Sequence, residues 1–183
     1  MKNTVVVNIF GAPGAGKSTA AAYVFSKLKM LNIDAELVTE FAKDKVWEQN
    51  PTPFQNQMYM FGKQSYRIAR CAGKVDVIVT DSPLPLSIHY NSDPRLTDNF
   101  NLTVMDVFNS YNNICYFLNR VKPYNPNGRN QTAEESDAMS KEIFAMLGKY
   151  GIDVTVVYNG CIEDYDRIVE EVAKVVTARV GKE

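Results

Sequence analysis

Histidine and tryptophan occur once each in 183 residues, and cysteine only three times. Cys71, Cys115 and Cys161 lie far apart, and none has a partner at the spacing of a zinc site. Structural zinc is therefore not expected, and the thiols read as small apolar residues of a reducing compartment. Neither sign of charge dominates. Twenty Lys and Arg face 21 Asp and Glu, for a net charge of −1. This argues against a surface given over to non-specific nucleic-acid binding, while leaving room for a local basic site. No apolar run approaches a membrane span. The opening "MKNTVVVNIFG" lacks signal-peptide architecture, and the expected location is the cytoplasm. Repeats and low-complexity linkers are also lacking.

What remains is a chain with 45% hydrophobic residues, which suits one globular domain over residues 1–183. Its segments alternate. "TVVVNIF" (4–10) is β-branched, continuous and ends at glycine, as a buried strand does. Ser18 to Leu31 predicts a helix with Val24, Leu28 and Leu31 on one face. Strands follow at 35–39, 75–80, 113–118 and in "DVTVVY". Helices are predicted over 54–72, in "LTVMDVFNSY", over 132–150 and from Glu163 onward. Thr132 with Glu135 three residues later predicts a capping box. Repeated strand–helix alternation implies a mostly parallel α/β sheet, with ligands beyond the carboxyl ends of the strands.

The polar residues at those ends carry the chemistry. "GAPGAGKS" follows the first strand directly, and Gly11, Gly16, Lys17 and Ser18 fit the pattern Gly-x4-Gly-Lys-Ser/Thr. Chance would supply such a match in a chain of this size on the order of once in a hundred. A strand before and a helix after is the context in which this loop cradles phosphate. The run Gly11, Ala12, Pro13, Gly14, Ala15, Gly16, Lys17, Ser18, Thr19 is therefore the candidate nucleotide-binding segment. Lys17 suits the β- and γ-phosphate oxygens, and Ser18 suits Mg²⁺. Asp81 follows the third strand and is a second candidate Mg²⁺ ligand; capping the segment that follows is the alternative, and the two roles are compatible. Glu40 follows the second strand. There it could take the proton of an attacking hydroxyl, or simply start the next helix.

A nucleotide loop alone does not name a reaction. The Asn-Lys-x-Asp expected of a guanine-reading switch is missing after the fourth strand, where "FLNRVKPY" stands. Little chain is left over for the added elements of a motor ATPase. A small phosphotransferase is the expectation. The loop "NRVKPYNPNGRNQTAEE" (119–135) carries Arg120, Lys122 and Arg129. It could close over a triphosphate and exclude water.

Together "GAPGAGKS", "TEFAKD", "VTDSP" and "FLNRVKPYNPNGRNQ" resemble the P-loop nucleoside and nucleotide kinase superfamily. Closest in appearance are nicotinamide riboside kinase-type domains and small bacterial and phage AAA-type ATP-binding proteins. The resemblance implies a three-layer fold with a five-stranded parallel sheet in order 2-3-1-4-5. It also implies ATP with Mg²⁺ as donor and a lid near 119–132. Glu40, Asp81, Arg120 and Arg129 match that superfamily's acids and lid arginines. One departure stands out. Asp81 is followed by Ser82 and Pro83, where deoxynucleoside kinases commonly have arginine, leaving that task to Arg67, Arg70 or Arg120 or to no residue. In related kinases the helix corresponding to 54–70 lines the acceptor site. Trp47, Phe54, Gln57, Tyr59, Gln64 and Arg67 are the candidate acceptor contacts, though core packing and plain exposure compete for each of them. His89 is expected to pack rather than react, the polar segment after it could gate the acceptor, and residues 158–160 are candidates for adenine.

The expected activity is transfer of the γ-phosphoryl of ATP to a hydroxyl of a nucleoside- or nucleotide-like small molecule, with room for a homodimer. Two alternatives stand beside it. One is a phage-type kinase of hydroxymethylated pyrimidines within DNA. The other is an ATP-binding regulator without transferase activity.

Overall fold

The computed structural model describes residues 2–121, 123–125, 132–154, 156–158 and 161–180. Five parallel strands form one sheet in the order β2-β3-β1-β4-β5, as the resemblance implied. They are β1 (Val5–Phe10), β2 (Ala35–Val38), β3 (Val77–Thr80), β4 (Asn112–Leu118) and β5 (Val156–Tyr158). The helices are α1 (Lys17–Met30), α2 (Phe41–Trp47), α3 (Gln57–Ala69), α4 (Leu86–His89), α5 (Asp98–Asn109), α6 (Ala133–Lys149) and α7 (Ile162–Val180).

Strand β1 is central and buried throughout, which explains its unbroken apolar run. Its alternate residues feed two cores. Val5, Val7 and Ile9 pack with Val24 and Leu28 of α1 and Ile168 and Val172 of α7. Val6 and Phe10 pack with Phe61 and Ile68 of α3, Phe100 and Val104 of α5, and Ile143 and Leu147 of α6. Helices thus cover both faces. Parallel order sets the ends of β1, β2, β3 and β4 on one rim, beside the loops that follow them.

Local chemistry fixes the helix starts. Thr132 forms the expected capping box with Glu135. The predicted helix over 54–72 divides into a 3₁₀ turn, Thr52–Gln55, and α3, because the Asn56 side chain caps α3 by accepting from the Tyr59 N–H. Helix α2 begins immediately after Glu40, which occupies its N-cap position. The short helix α4 has Pro85 at its N-cap position and no side-chain cap, so Asp81, four residues earlier, does not cap it.

Candidate active site

The loop between β1 and α1 is shaped by glycines that no other residue could replace without strain. Gly11 has φ +144°, and a β-carbon there would lie 2.7 Å from the Leu118 carbonyl oxygen at the end of β4. Gly16 has φ +97° and starts α1 with no side-chain cap. No acidic residue occupies the first turn of α1. The orphan N–H groups and positive dipole end of this helix are thus left for an anion. The Lys17 ammonium donates to the Ala12 carbonyl, 3.1 Å away. From α6, the fully buried Ser136 hydroxyl donates to the Pro13 carbonyl at 2.6 Å, pinning the loop from behind.

A cleft of about 420 Å³ opens from this loop, within the size range of small-molecule sites. Pro13, Gly14, Gly16, Lys17, Ser18 and Thr19 line the end of the cleft at this helix start, whereas Gly11, Ala12 and Ala15 are buried behind them. The other end is walled by Phe41, Val46, Phe54, Met60 and Leu86. Glu40 lies on the lining with Ser82, Ser87, Tyr90 and Ser92. Gln57 is only 7% exposed and lines the cleft, and its amide has no partner among the described residues. Burial, and secondarily the charge of Glu40, push the Tyr90 phenol well above its ordinary range. Tyr90 therefore stays protonated and able to donate.

Asp81 is 3% exposed, and its Oδ1 has no hydrogen-bond partner. A buried carboxyl oxygen left orphaned at the end of β3 is what a bound cation would satisfy. Among the described residues no cluster of three or more His, Cys, Asp or Glu exists. Mg²⁺ would need only one or two protein oxygens, taking its other ligands from phosphate and water.

Several sequence expectations fall elsewhere. Gln64 does not present a free amide. Its Oε1 accepts from the Phe41 N–H at 2.9 Å, so it fixes the turn between β2 and α2 while lining the cleft. Arg67 is outside the cleft, paired with Asp44 and donating to the Thr39 carbonyl at 3.1 Å. Trp47 is 65% exposed and is not part of the cleft wall, because it ends α2 on the outer side. Tyr59 is likewise outside, edge-on to the Phe41 ring at 5.7 Å. Arg120 forms a two-pronged pair with Asp137 at 2.6 and 2.7 Å and lies over the Tyr124 ring. Arg129, Lys122 and residues 159–160 lie outside the described residues. His89 is held in packing, edge-on to Tyr90 at 4.9 Å, and burial lowers its pKa.

Sequence reading missed Tyr124, whose ring would meet a β-carbon on Gly14 at 2.9 Å. It also missed Ser136, Asp137 and Tyr90. The first three act across long sequence separations and leave no local pattern. Tyr90 had one signal: it sits in the segment after Asp81 expected to border the acceptor.

The sheet order, with a glycine loop between its central strand and an uncapped helix, defines the P-loop kinase fold. The chain belongs to the AAA domain family, whose model matches residues 6–164. No curated protein matches the sequence. Among solved structures, deoxyadenosine kinase from M. mycoides with bound dATP is 20% identical, covering 94% of this chain and 99% of its own, with a TM-score of 0.52. Shikimate kinase from Acinetobacter baumannii in complex with shikimate is 9% identical, covering 97% and 96%, with a TM-score of 0.54. At these identities the likeness is one of fold. Among the described residues no helix is long and apolar enough to cross a membrane.

Proposed function

We propose that this chain is a single-domain, ATP-dependent phosphotransferase acting on a hydroxyl of a nucleoside- or nucleotide-like acceptor. The observation that carries this reading is one cleft joining an uncapped helix start to an apolar compartment, with Glu40 on its lining. A regulator that only bound nucleotide would have no use for the compartment beyond Glu40.

In this reading the amides at the start of α1 and Lys17 hold the β- and γ-phosphates. Ser18 and Asp81 would hold Mg²⁺, which supplies charge neutralisation and orientation of the triphosphate. The acceptor's ring rests against Phe41, Phe54 and Met60, and Gln57 reads a polar edge with its unpaired amide. Glu40 takes the proton as the acceptor oxygen bonds to the γ-phosphorus. The bond from that phosphorus to the β–γ bridging oxygen breaks, releasing ADP. Arg120 leaves Asp137 to meet the charge on the transferring group. The kinases whose fold this chain shares, one of them bound to dATP, support the assignment of class.

The test is a panel of nucleosides, nucleotides and shikimate-like alcohols offered with γ-labelled ATP and Mg²⁺. A labelled phosphoester on one of them, lost in Lys17→Ala, is the expected result. Labelled inorganic phosphate alone, unaffected by any acceptor, would contradict transfer.

A further inference from the structure

The outward face of α3 is unlike an ordinary solvated helix face. Met58, Tyr59, Gly62, Lys63, Tyr66 and Arg70 share it, and all are exposed. Tyr66 is 68% exposed and Tyr59 40%, while Trp47 at the end of α2 is 65% exposed. Not one acidic residue occurs between Gln49 and Val75. Over residues 41–75 six Lys and Arg stand against two acids, so this stretch carries +4 in a chain whose net charge is −1. Among the described residues neither Lys63 nor Arg70 has an ion-pair partner, whereas both acids, Asp44 and Glu48, are already paired.

The rings and cations alternate in space. The Lys63 ammonium lies 5.5 Å from the Tyr59 ring centre, and the Tyr59 ring meets Phe41 at 5.7 Å. Lys45 and Arg67 approach the Phe41 ring at 5.2 and 5.1 Å. Phe41, itself buried, also lines the cleft, so the exposed Tyr59 ring adjoins a residue of the cleft wall. Gly62 leaves open space, with nothing within 4 Å of a β-carbon placed there.

We propose that this face docks a single-stranded polynucleotide beside the cleft. Charge complementarity selects a polyanion. Exposed rings select unpaired bases, whose faces are free to stack, over a duplex, whose faces are not. A second copy of this chain fits less well, because a symmetric contact through this face would set its unpaired cations, Lys63 and Arg70, against an equally basic face. The proposal deepens the kinase reading in one respect: a strand lying here can present a nucleotide of its own as the acceptor. The docking itself requires no transfer.

The full chain is titrated into fluorescein-labelled oligo(dT) of about 15 nucleotides, near the upper site size of one such platform. Anisotropy follows binding, and emission of Trp47, the only tryptophan, follows stacking on unlabelled strand. Saturable binding with quenching of Trp47 is expected at ~50 mM salt, weakening as salt rises. The double variant Lys63→Gln, Arg70→Gln is expected to flatten the log–log salt dependence by about 1.4, or ~0.7 for each phosphate no longer neutralised. Tyr66→Ala is expected to weaken binding at least about fivefold. All three side chains are exposed, and thermal melts confirm that the variants fold.

No saturable binding would overturn the proposal, as would binding that these variants leave unchanged. So would equal binding of heparin or anionic vesicles with the same quenching. Self-association of the wild type that the variants abolish, with no effect of oligo(dT), would assign the face to a second copy instead. The two readings fail separately. Lys17→Ala should lose transfer yet keep strand binding, and Tyr66→Ala should keep transfer to a free acceptor.

Discussion

The two ends of the cleft are built from different materials. The end proposed to seat phosphate is mostly backbone: one loop, with glycines at φ +144°, +83° and +97°, leading into the uncapped start of α1. The end proposed for the acceptor is side chain, drawn from residues 40–46, 54–64 and 82–92. A backbone seat recognises any phosphate and tolerates few substitutions at its glycines. A side-chain pocket recognises one acceptor and can be rebuilt by exchanging a few residues. The fold is shared with proteins named for deoxyadenosine and for shikimate, so it does not by itself name an acceptor.

Variants at the two ends should part company. Lys17→Ala should do the most damage: turnover falls by ~10²–10³, the loss typical of one preorganised electrostatic donor. Its melting temperature should stay close to that of the wild type, since Lys17 lies on the cleft lining rather than in either core. Glu40→Gln should lower kcat by about 10², leaving the KM for ATP unchanged. If the KM for ATP rose instead, Glu40 would belong to the donor end. Gln57→Leu should act on the opposite parameter, raising the acceptor KM by roughly tenfold with kcat nearly preserved, as expected when a hydrogen bond common to ground and transition states is removed.

Milder variants test how the ends are held. Ser136→Ala removes the 2.6 Å bond to the Pro13 carbonyl. A neutral bond of this kind is worth about 1 kcal/mol, so the KM for ATP should rise about fivefold while the acceptor KM does not move. The mildest change concerns the segment bordering the acceptor end. The Arg95 guanidinium and backbone N–H hold the Asp93 carboxyl down to about 2. A depressed carboxyl contributes stability above its unfolded value of about 3.9 and loses it as pH falls toward the folded value. Asp93→Asn should therefore melt with a shallower dependence on pH between ~4 and ~2 than the wild type does. Equal slopes would mean that Asp93 does not help to hold this segment.

Legibility in the sequence follows the same division. The strand, loop and start of α1 are contiguous, so residues 4–18 announced the central strand and the glycine loop that leads into a helix. The Thr132 cap was equally legible because its two partners are three residues apart. Helix α2 has only seven residues and buries one of them, so it leaves little periodic signal. Gln64 looked like a free acceptor contact because an amide on a helix face looks the same whether paired or free. Its bond to Phe41 spans 23 residues and has no signature in the chain. Tyr124 was invisible for the same reason: its place over Gly14 depends on how the segment after β4 returns across the loop.

Whether the start of α1 seats an anion, and does so independently of the acceptor compartment, is decided by isothermal titration calorimetry of ADP with Mg²⁺. The wild type, Lys17→Ala and Gln57→Leu are compared. Saturable heat is expected for the wild type, weaker binding for Lys17→Ala, and wild-type affinity for Gln57→Leu. An absence of heat with the wild type and every purine nucleotide tried would contradict the anion seat and the kinase reading with it.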